Sequence, residues 1–161
     1  MNIQQATFND LTAICELADQ INTTHHHELP DLFLNPEDME GSTEFWSSQF
    51  EAKSSAFLVA KIENTVVGFI TAKITENTDI PFLTKRKICR IGTIVVLEEY
   101  QNSGVGSELM CAIEKWTADC GADEVRLEVM EFNKNARLFY NNNGYINSSR
   151  IMAKIIGIRK T

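Results

Sequence analysis

Gln101-Asn102-Ser103-Gly104-Val105-Gly106-Ser107 is the stretch whose reading decides the fold. An apolar, β-branched run from Ile91 to Leu97 enters it, and helical periodicity beginning near Val105 leaves it. A strand that turns tightly into a helix aims several backbone N–H groups at one point. The helix dipole is positive there, so the point suits a phosphate. Gly104 and Gly106 let a ligand approach the backbone closely and allow φ > 0 where the turn needs it. The loop is therefore expected to hold a diphosphate. A Walker A loop would need Gly-Lys-Ser/Thr, but Gly106 is followed by Ser107 and Glu108. A dinucleotide fingerprint would need a third glycine where Leu109 stands, and the 55 residues after Gly106 are too few for a doubly wound domain.

With 161 residues, 43% hydrophobic and 23% charged, the chain reads as a single globular domain, 1–161, with a sizeable core. A net charge of -7 opposes nucleic-acid binding, which needs a basic patch against backbone phosphates. Met1-Asn2-Ile3-Gln4-Gln5 lacks the basic and apolar regions of a signal peptide. No run approaches the ~18 apolar residues of a membrane span, so a cytoplasmic protein without a membrane partner is expected. Cys15, Cys89, Cys111 and Cys120 have no C-x-x-C spacing and are read as reduced, buried thiols.

Taken in order, Ile3 to Ala6 predicts a short strand. Thr7-Phe8-Asn9-Asp10 has capping-box spacing before a helix carrying Leu11, Ile14, Cys15, Ala18 and Ile21 to about Asn22. A polar-then-aromatic segment with His25, His26, His27, Asp31 and Phe33 follows. Asn35-Pro36-Glu37-Asp38 opens a second helix that Gly41 can divide. Ala56 to Ile62 and Thr65 to Thr75 form a hairpin about Glu63-Asn64. The Glu76 to Lys87 loop ends in the basic cluster Lys85-Arg86-Lys87, read as a solvated turn. Ile88 to Leu97 is the central strand, with Gly92 marking a bulge or a close backbone approach. After the glycine loop, Val105, Leu109, Ile113, Trp116 and Cys120 give a helix stripe that Gly121 stops. Glu124 to Met130 reads as a strand, Asn133 to Asn142 as a helix, and Tyr145 to Ile156 as a long last strand suited to an edge or a partner. The class is mixed α/β.

A second segment narrows the loop's identity. Asn133-Lys134-Asn135-Ala136-Arg137-Leu138-Phe139-Tyr140-Asn141-Asn142-Asn143-Gly144-Tyr145 follows a strand. With it, the chain resembles the GNAT (GCN5-related N-acetyltransferase) superfamily. Gln101-x-x-Gly104-x-Gly106 is similar to that superfamily's Q/R-x-x-G-x-G/A motif. The second segment is similar to its N-x-x-A-x-x-x-Y-x-x-x-G-[FY] pattern at every position. The resemblance implies a mixed, mostly antiparallel sheet, splayed at the cofactor site and flanked by about four helices.

It also implies acetyl-CoA as cofactor. Backbone N–H groups from Gln101, Asn102, Ser103, Gly104, Val105, Gly106 and Ser107 would hold its pyrophosphate. The strand edge at Ile94, Val95 and Val96 would pair with pantetheine. Asn133, Ala136, Phe139 and Tyr140 would complete the cofactor site, although Asn133 also reads as a plain N-cap.

The implied chemistry is direct attack of a primary amine on the thioester in a ternary complex. It needs a neutral amine, a stabilised oxyanion and a proton for the thiolate. Tyr140 stands at the general-acid position. Ile91 and Thr93 replace the acidic residue many members carry on the central strand. Glu128, which is similar to the base of the ribosomal-protein alanine acetyltransferases, is the candidate base, acting through water. By resemblance the segment with His25, His26, His27, Asp31 and Phe33 would cover a small-molecule acceptor, and no metal site is expected. A peptide or protein N-terminal acceptor, and a non-catalytic acyl-CoA-binding module, stay open. Family habit and the last strand make a homodimer an expectation.

Overall fold

A computed structural model describes residues 1–157. Two compact units divide the chain, Met1–Glu128 and a C-terminal unit that starts at Val129.

The first unit is built on a five-stranded sheet: β1 (Asn2–Gln5), β2 (Ser55–Ile62), β3 (Thr65–Glu76), β4 (Lys87–Val96) and β5 (Val125–Arg126). The strands lie in sequence order. The first four are antiparallel neighbours and β5 runs parallel to β4. Glu63 and Asn64 both have positive φ, 49° and 70°, as a type I′ hairpin turn requires, so the short connection fixes the β2–β3 register. Between Thr71 and Ala72 the β3–β4 register shifts, leaving Gly92 as an extra residue against β3. Thr71 Oγ1 accepts the Thr93 N–H at 3.0 Å and closes the bulge.

Helices α1 (Leu11–Glu28) and α2 (Ser42–Ser48) cover one face of the sheet. Ile14, Leu17 and Ala18 of α1 and Trp46 of α2 pack with Phe57, Val59, Phe69 and Val95. Edge-to-face contacts of Trp46 with Phe57 (6.1 Å) and Phe69 (5.3 Å) add specific geometry to this burial. Helix α3 (Val105–Asp119) covers the opposite face with Val105, Leu109, Met110, Ile113 and Thr117. Gly68 permits that packing, since a Cβ there would stand 2.8 Å from the Val95 carbonyl oxygen and 3.4 Å from Leu109 Cδ1. Trp116 is half-buried beside this stripe, not within it.

One buried charge fastens α1 to the sheet. Asp10, 4% exposed, lies 2.6 Å from Lys61 Nζ on β2, and its Oδ2 accepts the Thr7 N–H and hydroxyl. Burial raises the carboxyl pKa, and the Lys61 and Thr7 hydrogen bonds outweigh that, leaving it below its ordinary 3.8. A carboxyl whose folded pKa is depressed gives stability that is present above the unfolded pKa and lost as pH falls through the folded one. Asp10→Asn should therefore cost about 2–3 kcal/mol at neutral pH by stranding Lys61, and should flatten the loss of stability below about pH 4. Urea unfolding at neutral and acid pH checks both.

Several elements differ from their expected extent. Helix α1 runs to Glu28 instead of Asn22, so the three histidines form its last turn and not a loop. The polar residues after Ile21 carry no apolar stripe, but nothing breaks the helix before Pro30. Asn35 caps only a 3₁₀ turn, Pro36–Asp38, and the helix restarts at Ser42 after Gly41 at φ 75°. The strand expected from Glu124 to Met130 keeps only two ladder residues because it departs from β4. Cys89 is buried, but Cys111 is exposed on the outer side of α3, and Cys15 and Cys120 are half-buried. All four are free thiols. No described helix is long and apolar enough to cross a membrane.

The C-terminal unit contains α4 (Lys134–Asn142). Gly144, at φ 85°, ends it, and the Tyr145 N–H returns to the Tyr140 carbonyl at 3.0 Å. The expected last strand, Tyr145 to Ile156, has no regular structure, and its Ile151, Met152, Ile155 and Ile156 are exposed. Strand propensity there has no ladder partner among the described residues to act on.

Candidate functional site

Strand β4 carries two stations of the site. At its C-terminal end the chain makes a 3₁₀ turn, Glu98–Tyr100, then a turn into α3. Asn102 takes φ 60° and Gly104 φ 92°, with nothing within 4 Å of where a Gly104 Cβ would stand. The first-turn N–H groups of α3 have no acceptor inside the helix, as at any helix start. They face an uncrowded surface, which fits a phosphate group. Gln101 folds its side chain back, donating from Nε2 to the Val96 carbonyl at 3.1 Å. Gln20 of α1 donates to the same carbonyl at 3.2 Å, and its Oε1 accepts the Glu98 N–H at 3.3 Å. Sequence reading missed Gln20, whose polar side chain holds the end of β4.

The second station lies where β4 and β5 part. Their ladder consists of Cys89 against Val125 and Arg90 against Arg126, and ends there. Beyond it β4 continues through Ile94, Val95 and Val96 with β3 on one side and no described strand on the other. Exposed strand edges of this kind take a hydrogen-bonding partner from outside the sheet. Arg90, Ile91, Gly92, Arg126, Leu127 and Glu128 line a cleft of about 190 Å³ at the fork. Glu128 and the Gly92 bulge thus share one cavity, four residues short of Val96. A larger cleft of about 330 Å³, lined by Ser54, Ile74, Glu76, Lys87 and Cys120, contains none of the expected site residues.

The histidines divide by function in the fold. His26 Nδ1 lies 2.8 Å from the Phe33 carbonyl, which can only accept, so Nδ1 carries the proton and a neutral ring leaves Nε2 as its basic nitrogen. His25 lies over the Phe33 ring at 4.7 Å. These two contacts fold the 29–34 segment back along α1. His27 is exposed beside Glu28, and Asp31 is exposed. Among the described residues no group of three or more His, Cys, Asp or Glu could hold a metal ion.

In the C-terminal unit, Asn133 caps α4, its Oδ1 accepting the Ala136 N–H at 3.0 Å. Ala136 and Tyr140, three and seven residues on, lie on that same side of the helix. Tyr140 packs edge-on between Phe139 (5.3 Å) and Tyr145 (6.1 Å). Burial pushes its phenol up to about 12, so the ring stays protonated at any ordinary pH.

The Acetyltransferase (GNAT) family matches residues 19–145. An uncharacterized N-acetyltransferase of Bacillus subtilis is 25% identical over 145 residues, spanning 90% of this chain and 89% of that protein. An N-alpha-acetyltransferase of Sulfurisphaera tokodaii is 31% identical over 63% of this chain and 62% of its own length. A crystal structure of a mutant Bacillus halodurans protein superposes with TM-score 0.91 at 24% identity, covering 97% of this chain and 99% of that one. The aminoglycoside N-acetyltransferase AAC(6')-Iy in complex with CoA gives TM-score 0.73 at 16% identity, over 98% of this chain and 100% of its own.

Proposed function

Because the chain belongs to the acetyltransferase (GNAT) family, an N-acetyltransferase with acetyl-CoA as its cofactor, we propose that it acetylates a primary amine of a small molecule by direct attack in a ternary complex. On this reading residues 1–161 act as one cytoplasmic acetyltransferase domain. The observation that supports it most is the fork between β4 and β5, with Gly92 and Glu128 lining its cleft.

The cofactor supplies an acetyl thioester, a carbonyl activated toward amines. Loop residues Gln101, Asn102, Ser103, Gly104, Val105, Gly106 and Ser107 bind its diphosphate through backbone N–H groups. The edge of Ile94, Val95 and Val96 orients the chain between diphosphate and thioester. On the C-terminal unit, Asn133, Ala136 and Phe139 are the residues assigned to cofactor binding. Glu128 takes the proton that the amine releases, through water, and Tyr140 Oη holds a proton for the departing sulfur. His25, His26, Asp31 and Phe33 line the acceptor side, with His27 at its rim.

Thiol release from acetyl-CoA across a panel of amines tests the assignment. Small amines should turn over, and Glu128→Gln should lower kcat about 10²-fold while CoA affinity stays near that of the parent. Binding of CoA without turnover of any amine would leave an acyl-CoA-binding module. A peptide N-terminus preferred over every small amine would favour the second acceptor class, which the archaeal N-alpha-acetyltransferase relative supports. Pairing of two copies through the segment after Tyr145 is proposed with it, and sedimentation of the full chain reads that directly.

A further inference from the structure

Three cations stand in register across the sheet. Lys73 on β3 is opposite Arg90 on β4, and Arg90 is opposite Arg126 on β5. Partners in register project from the same face, and a strand spacing of about 4.8 Å spreads the row over about 10 Å. Phe69 and Thr71 precede Lys73 at alternate positions, so this is the face that α1 and α2 cover farther along. Like charges directly opposite one another destabilise a sheet. The arrangement is the less expected in a chain of net charge -7.

Compensation is one-sided. Glu124 takes the Arg126 Nε and also Arg86, which lies 2.6 Å away. Lys73 and Arg90 make no ion pair among the described residues. Arg126 meets Glu124 through Nε, which leaves its terminal nitrogens for another acceptor. Both arginines line the cleft at the fork, and so does Glu128, two residues beyond Arg126. The cleft therefore has guanidinium groups at one end and a carboxylate with the Gly92 bulge at the other. That polarity is the reverse of a small zwitterion.

We propose that the acceptor amine carries a carboxylate, as a free amino acid does, and that Arg90 and Arg126 hold it while its amine lies toward Glu128 and Gly92. Guanidinium forks match carboxylate geometry with paired hydrogen bonds, and Lys73 adds an unpaired charge to the same end. The proposal rests on the reading of the Glu128 cleft as the transfer site.

The test compares free L-amino acids with the amides of the same amino acids, with O-phosphoethanolamine and with short peptides as acceptors. For the best acids, kcat/KM should exceed that of their amides at least tenfold. Arg90→Gln and the Arg90→Gln/Arg126→Gln pair should collapse that ratio toward one by raising KM for the acids. Arg90 is exposed and unpaired, so its single variant folds even if loss of the Arg126–Glu124 contact unsettles the pair. Equal turnover of acids and amides, an intact ratio in Arg90→Gln, or preference for the phosphorylated amine or a peptide overturns the proposal. If no amine is acetylated, the transfer reading fails separately. Calorimetric titration of the amino acids then still reads the row: affinity that weakens at least tenfold in Arg90→Gln supports it, and no binding overturns it.

Discussion

Tyr140→Phe should lower kcat by about 10²–10³-fold with little change in CoA affinity, since a positioned general acid is worth roughly that much. The removed atom is the phenolic oxygen alone. Phe keeps the ring that packs between Phe139 and Tyr145, so α4 and its Asn133 cap stay formed. Burial holds the phenol at about 12, so the wild-type side chain is a proton donor from about pH 6 to pH 10 and does not titrate within that range. The ratio of wild-type to variant rates should accordingly be flat over it. Steady-state rates of thiol release at several pH values measure this. A variant as fast as the parent, or a ratio that changes steeply with pH, removes Tyr140 from the acid role.

Gly104→Val should weaken CoA binding at least tenfold, and about a hundredfold where the whole strain falls on the bound state, while the protein still folds. Valine is strongly disfavoured at the φ of 92° that Gly104 adopts, and holding such a residue there costs on the order of 1–3 kcal/mol. The open space around the position means the new side chain displaces no core atom. The loop must instead rotate, and that turns the N–H groups away from their common point. Gly68→Ala is the contrasting variant, because its Cβ would press on the Val95 carbonyl and the damage would appear in stability. Calorimetry with CoA and circular dichroism separate the two. Unchanged affinity in Gly104→Val would sink the diphosphate assignment for this loop.

The strand–glycine loop–helix unit was legible in the sequence because all its signals are local: a β-branched run, two glycines and a helical stripe. The Glu63-Asn64 turn, the Gly92 bulge and the Gly41 break were legible for the same reason. What escaped needs partners remote in sequence. The α1 extension through His27 has no apolar periodicity to announce it. The two-residue length of β5 depends on where it leaves β4, which no composition encodes. The 145–156 segment has strand composition and no described strand beside it. At the cleft, Glu128 was found by resemblance to a motif. Lys73, Arg90 and Arg126 were not, because three cations 17 and 36 residues apart become a row only once the register is known.

The bulge at Gly92 also sets which changes of length β4 can survive. Arg90 and Val95 serve the same face of the sheet although one number is even and the other odd, since the extra residue advances the alternation by half a period. Removing Gly92 would restore simple alternation along the whole strand. Arg90 and Val95 would then stand four positions apart and keep their common face, with Ile91 still opposite Ala72 and Thr93 opposite Thr71. Substitutions along this strand disturb one side chain each. Deleting a paired residue of β4 would exchange the two faces of half the strand, so Gly92 is the position at which this strand can lose a residue and keep both faces.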